Sequence, residues 1–304
     1  MKKLLLLFSI CAPALLFGQT INDGLMMPAK TVCTGFVYTH DQWTSYWEGE
    51  LKRENGNIGT LTTTAVTWMA AYGVTDKINV IAMVPHIWTK ASGGTLTPME
   101  GIQDLTLAVK YNFFTKEFGE DKFKAFGALT YSRPLTDYSA DFLPLSIGMG
   151  SQNLSYRLTA NYNFAHKIYV NASAAYTWRG NVELDRPSYF TGGQIYFTNE
   201  VRMPNVFDYI VNVGYHKGPL QVDLNYMQQN TLGGGDIRRQ DMPFVSNRMN
   251  AAKTGLFVMY YLAAPKGLAV RAGGMTTVAG RNVGQSSSLM GGLLYTIRFA
   301  PQPE

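Results

Sequence analysis

Leu154-Ser155-Tyr156-Arg157-Leu158-Thr159-Ala160-Asn161-Tyr162-Asn163-Phe164 decides the fold. Its even positions read Leu, Tyr, Leu, Ala, Tyr, Phe and its odd positions Ser, Arg, Thr, Asn, Asn. That period of two belongs to a strand whose faces meet unlike surroundings. After only Ala165, His166 and Lys167 the pattern returns, with Ile168, Val170, Ala172, Ala174, Tyr176 and Trp178 set against Tyr169, Asn171, Ser173, Ala175, Thr177 and Arg179. A three-residue link between two such strands makes an antiparallel hairpin.

The same division recurs outward from this hairpin. Leu105, Leu107, Val109, Tyr111 and Phe113 oppose Asp104, Thr106, Ala108, Lys110 and Asn112. Val222, Leu224 and Tyr226 oppose Gln221, Asp223 and Asn225, and Leu289, Leu293, Tyr295, Ile297 and Phe299 oppose Ser288, Thr296 and Arg298. Weaker alternation predicts strands at 31–39, 60–72, 78–88, 123–133, 206–215, 250–262 and 268–278, twelve in all. They run longer than the five or six residues usual in globular sheets and match the nine to eleven that cross a bilayer when tilted.

Connections alternate in length. Short turns are expected at 74–77, 115–122, 165–167, 216–219 and 263–267, and long loops at 40–59, 89–101, 134–150, 180–205, 230–247 and 279–285. Short turns on one side and long loops on the other fit a transmembrane antiparallel up-and-down β-barrel. Tyr72, Tyr111, Phe113, Phe164, Tyr215 and Phe299 sit near short turns, and Trp88 and Trp178 near long loops, as two interfacial girdles would require. A soluble β-sandwich also alternates; what separates it from a barrel is whether the apolar face meets a second sheet or lipid.

Targeting agrees with the barrel. Lys2 and Lys3, an apolar run from Leu4 to Phe17, then Gly18 and Gln19 read as a secretory signal peptide. The run is too short for a membrane helix, which needs roughly twenty residues, and no later stretch supplies one. Cys11 lies within the run, after the bulky Ile10, so acylation is not expected. The expected organisation is a signal peptide at 1–18, a short periplasmic segment at 19–30, a barrel at 31–299 and a tail at 300–304. Only Cys33 remains in the mature chain, which excludes an internal disulfide and a metal-thiolate site. Loss of Lys2 and Lys3 lowers the formal charge of +5 by two, and no basic block of the kind that tracks nucleic acid appears.

Tyr72-Gly73-Val74-Thr75-Asp76-Lys77-Ile78-Asn79-Val80, then Val84-Pro85, then Gly101-Ile102-Gln103-Asp104-Leu105-Thr106-Leu107-Ala108-Val109-Lys110-Tyr111 resembles the phenol-degradation meta-pathway transporter family. The resemblance centres on residues 59–111, with looser similarity through later strands. It implies an outer-membrane channel, distantly like long-chain fatty-acid and toluene transporters, taking up small hydrophobic compounds. The segment 19–30 looks too short for the lumen plug of fatty-acid transporters, so closure by outer loops 180–205 and 230–247 is expected instead.

The expected lumen face carries Asp104, Lys110, Arg157, Arg179, Asp208, Asp223, Lys253, Arg271 and Arg298. Arg or Lys on the lipid face would cost about 2 to 4 kcal/mol each at the midplane, so their common phase is informative. Salt-bridge ladders that stiffen the wall are the plainer use of these charges, and solute contact the other. Loop 230–247 holds Gly233, Gly234, Gly235, Arg238 and Arg239, with Arg248 following. Those guanidinium groups suit carboxylates, lipopolysaccharide phosphates or plain solvation. His40, Asp41, Trp43, Tyr46, Trp47 and Glu48 make an aromatic first loop that either lines a mouth or packs over its neighbours.

His86 and Ser132 are the one pair that an outer-rim hydrolase would use, and no Gly-x-Ser-x-Gly motif occurs. The sequence therefore reads as non-enzymatic and cofactor-free. The expected function is passive uptake of small molecules, hydrophobic or aromatic ones included; the alternative is a non-transporting barrel with an envelope-anchoring or partner-binding role. Expected partners are outer-membrane lipids, a small-molecule substrate and the barrel assembly machinery during biogenesis, with no nucleic acid.

Overall fold

The computed structural model describes residues 20–299 apart from His166, Gly192 and residues 239–241. The expected signal peptide, Gln19 and the 300–304 tail lie outside the described residues. Twelve long strands form the wall: β1 (Thr31–Trp43), β2 (Leu61–Gly73), β3 (Ile78–Ala91), β4 (Asp104–Phe118), β5 (Asp121–Pro134) and β6 (Asn153–Phe164). They continue as β7 (Ile168–Arg179), β8 (Val206–Lys217), β9 (Leu220–Thr231), β10 (Asn250–Tyr261), β11 (Leu268–Arg281) and β12 (Ser287–Arg298). Each pairs antiparallel with its neighbour in sequence, and β1 pairs with both β2 and β12. The sheet is thus a closed twelve-strand barrel with no free edge, which leaves no row of unpaired backbone groups.

Exposure settles the choice between barrel and sandwich. Leu154, Tyr156, Leu158 and Phe164 of β6, and Leu107, Val109 and Tyr111 of β4, all point outward and are exposed, while Arg157, Thr159, Asn161 and Lys110 are buried. Among the described residues no second sheet covers that apolar belt, which a soluble monomer would not display. The aromatics expected at both strand ends are outward and exposed: Tyr72, Tyr111, Phe113, Phe164, Tyr215 and Phe299 at one end, Trp88 and Trp178 at the other. A bulge between Asn112 and Phe114 turns both Phe113 and Phe114 outward.

Two expectations need correction. The turn expected at 115–122 is mostly strand, since β4 runs to Phe118 and β5 starts at Asp121. The inner face is not uniformly polar either. Cys33, Val37, Met69, Ala71, Ile81, Ala108, Met259, Ala269 and Leu294 point inward and form one apolar cluster around Met27.

The long loops are folded and tied to one another. Ser45–Glu48 pairs with Leu51–Glu54 as a small hairpin, and Tyr189–Thr191 pairs with Gln194–Tyr196. Ala140, Val182, Leu184, Tyr189, Val201, Met203 and Val245, drawn from three loops, share an apolar cluster. Asn282 receives hydrogen bonds from the backbone N–H of Gly49 and Ile237 and donates to Asp236 and the Arg248 carbonyl, joining the first, fifth and sixth loops.

Candidate functional site: the occupied lumen

The segment before β1 occupies the lumen, contrary to the expectation that it is too short to do so. It touches the wall from within on many sides: Asp23 meets Lys110 of β4, Gly24 lies against Asn161 of β6, and Met27 reaches Asn79 of β3. Only a chain inside a closed barrel can reach all of these inward-facing residues together. The eleven described residues 20–30 suffice because a twelve-strand barrel is narrow. The segment enters at the short-turn end, where the Lys30 N–H donates to the Gly73 carbonyl at 2.8 Å and the Ala29 N–H to Asp76 at 2.9 Å.

The segment is built around Asp23. Its carboxylate accepts from the Thr20 N–H at 2.5 Å, the Thr20 hydroxyl at 2.8 Å and the Leu25 N–H at 3.0 Å. This is the local turn that Asp favours through side-chain to backbone bonds. Lys110 then clamps it: the ammonium donates to the Thr20 carbonyl at 3.0 Å, the Asp23 carbonyl at 2.6 Å and the Asp23 carboxylate at 2.9 Å. Three protons meet three acceptors, and the face of Phe126 lies 5.2 Å away. Lys110 is completely buried. An ammonium removed from water without such partners costs several kcal/mol, so the segment and the lysine need each other. A Cβ at position 24 would fall 2.5 Å from the Asn161 side chain, so only glycine fits there without a shift.

The opposite side of the lumen is a polar wall. The Tyr169 ring lies across Gly214, its partner in the β7–β8 register, where a Cβ would fall 2.1 Å from the ring. That placement sends the Tyr169 hydroxyl to the Asp223 carboxylate, and Gln221 donates to both at 2.8 Å. Arg157 donates to Asp208 at 2.5 Å and to the Ser173 hydroxyl at 3.1 Å. Arg271 stands 5.4 Å over the Phe257 ring. Between this wall and the segment lies a cavity of about 200 Å³, bordered by Thr20, Asn22, Asp23, Gln221, Asp223 and Arg271 among others.

The residues named from the sequence thus fall into separate places. Lys110 holds the segment, Arg157 and Asp208 pair, and Asp223 and Arg271 border the cavity. Asp104 accepts from the Tyr138 hydroxyl of an outer loop at 2.6 Å. Arg179 and Lys253 are half-buried near the loop end, and Arg298 half-buried at the turn end. Among the loop residues, Trp47 is buried against Gly280 and Trp43 lies on Gly284, with Tyr46 6.3 Å from the Trp43 ring. These three pack the first loop onto the sixth. Arg238 is exposed beside a surface hollow of about 660 Å³ shared with Arg186 and Phe244, and Arg239 lies outside the described residues. His86 shares the outward face with Trp88, its ring 4.3 Å away, whereas Ser132 points inward to Asn153. The two cannot act as a pair.

The residues missed from the sequence are those of the segment itself, Thr20, Asp23, Gly24 and Met27. The signal for them was Thr20-x-x-Asp23-Gly24, a side-chain-bonded turn, paired with one lysine on an otherwise small-residue strand face.

Comparison with known proteins places this geometry. An outer-membrane channel from Pseudomonas putida F1 superposes with a TM-score of 0.70 at 13% identity, over 92% of this chain and 100% of that one. The β domain of the Bordetella autotransporter BrkA gives 0.48 at 10%, over 88% and 100%. The Pseudomonas putida toluene transporter TodX gives 0.39 at 10%, over 88% and 89%. At such identities the first likeness is one of fold. No curated protein matches in sequence. A family model does match, over residues 52–290, and the chain belongs to that family, described as "MetA-pathway of phenol degradation".

Proposed function

We propose that this barrel sits in the bacterial outer membrane and works as a channel for passive uptake of small molecules, hydrophobic and aromatic ones included. The observation that carries this reading is the lumen segment. It is irregular chain, not wall, and it is held by the Lys110 clamp, a few backbone contacts and the packing of Met27. Its departure or displacement would leave a path through a closed barrel. The inner surface suits mixed solutes, since a Met-rich side (Met27, Met69, Met83, Met259, Met290) faces a hydrogen-bonding side. The exposed apolar belt and aromatic girdles support lipid as the outer partner and the assembly machinery as the route of insertion.

Refolded protein in a planar bilayer tests the reading. Steady single-channel currents are expected, together with swelling of liposomes in small aromatic solutes. Correctly folded barrels that neither conduct nor pass solute would favour the second reading, an envelope-anchoring or partner-binding barrel, which a filled lumen also suits.

A further inference from the structure

We infer that the cavity beside the lumen segment is a subsite for a small organic carboxylate, with its acid group on Arg271 and its apolar body on the neighbouring ring and methionines. This deepens the channel reading above and rests on it. Arg271 borders the cavity and is only half-buried, so its guanidinium is open to a solute there. Among the described residues it makes no hydrogen bond and no ion pair. What positions it is the Phe257 ring, 5.4 Å from the guanidinium. That ring lies against Gly273, its partner in the β10–β11 register, where a Cβ would fall 2.3 Å from it. A guanidinium resting on an aromatic face keeps its N–H edge for an acceptor, and the two oxygens of a carboxylate match that edge.

The acceptors already present do not fill this role. Asp223 lies within the electrostatic reach of Arg271 without forming an ion pair, and its two oxygens take the Tyr169 hydroxyl and the Gln221 amide. Asp23 is spent on Lys110 and on its own turn. Arg271 is therefore the charged group on the cavity border whose donors are unfilled. Asn22 and Asn225 border the same space with side-chain amides that no hydrogen bond fixes, so either can turn an N–H toward an incoming carboxylate. For the rest of the solute the border offers Ile210, Met227, Phe257 and Met275, and thioethers pack well on the edge of an unsaturated ring. Cavities of about 150 Å³ hold benzene, so about 200 Å³ admits one ring bearing one carboxylate. Because Thr20, Asn22 and Asp23 form one wall, such a solute binds against the segment itself.

The test is binding to the detergent-folded full chain at neutral pH and low salt, by calorimetry with empty-micelle titrations subtracted. Three probes share one ring and differ in charge: benzoate, benzamide and benzamidine. Benzoate is expected to bind at least about tenfold more tightly than either analogue, the scale of a charge-assisted hydrogen-bonded pair. Arg271→Met is expected to abolish that preference, and Arg271→Lys, which keeps the charge and loses the fork, to weaken it. Equal binding of benzoate and benzamide, or no binding of benzoate, overturns the assignment. Tighter binding of benzamidine does so too, since it would give the site to the two aspartates. An unchanged preference in either variant removes Arg271 from it, and the wild-type series decides the sign even where a variant fails to fold. Bilayer currents are recorded in parallel: a silent barrel that prefers benzoate sinks the channel and keeps the subsite, and a conducting barrel without preference does the reverse.

Discussion

Asp23 and Lys110 are 87 residues apart in the chain and meet inside the barrel, carboxylate to ammonium at 2.9 Å. One partner belongs to irregular chain and the other to the wall, so this contact ties the segment to the barrel. The same ammonium also holds two carbonyls of the segment, which makes Lys110 a clamp on chain shape as well as on charge.

Lys110→Met removes the clamp and leaves the Asp23 carboxylate with only its own turn. Breaking a buried pair from one side costs about 3 to 5 kcal/mol, enough to loosen residues 20–25, which lie beyond the Met27 packing. Larger or more frequent openings than wild type are expected in single-channel recordings, and Asp23→Asn combined with Lys110→Met, which strands no buried charge, should open less than the lysine change alone. Wild-type currents in Lys110→Met would mean that the segment stays seated without the ion pair.

Gly24→Val tests the seating without touching charge. A side chain at this position meets Asn161, so the segment must lift from β6. The expected result is an increased conductance together with faster hydrogen exchange of residues 20–29. If exchange there stays slow, the wall yields and the glycine is dispensable.

Leu158→Arg places a guanidinium on the outward face of β6, where Leu158 is exposed. About 2 to 4 kcal/mol is lost if that face lies at the bilayer midplane, with the folded fraction in lipid vesicles, read by gel mobility without heating, falling accordingly. Normal folding would place this face away from acyl chains.

Asp236 predicts a pH response in the outer loops. Hydrogen bonds from Arg281, then from Asn282, hold its carboxyl down at about 2, below the ordinary 3.8. A carboxyl with a depressed folded value stabilises the fold fully above its ordinary value and loses that contribution as pH falls through the depressed one. Protection of residues 230–238 and 242–249 against hydrogen exchange is therefore expected to persist at pH 4 and to decline toward pH 2. Asp236→Asn should flatten that decline; an equal decline in the variant would assign it to another group.

How legible the molecule was in its sequence depended on what each strand faces inside. β6, β7 and β9 line the polar side of the lumen, so Arg157, Asn171 and Asp223 alternate sharply with lipid-facing apolar residues. β1, β2, β3, β10 and β11 place Cys33, Met69, Ile81, Met259 and Ala269 against the lumen segment, making both of their faces apolar and weakening the alternation. Those five strands alternate weakly because the segment is there. The segment itself has no period, and Asp23 acquires meaning only once the barrel brings Lys110 to it. The phase of the lumen charges was readable, whereas their pairing needed the register.

The seam where β1 meets β12 is backed from inside by the segment that leads into β1. Met27 packs with Cys33 and Val37 of the first strand and with Leu294 of the last, and the Phe299 N–H donates to the Lys30 carbonyl just below them. This little core is complete only when both ends of the chain have arrived. The segment that leads into the first strand is thus housed by the last one, and the step that closes the wall is also the step that seats the segment within it.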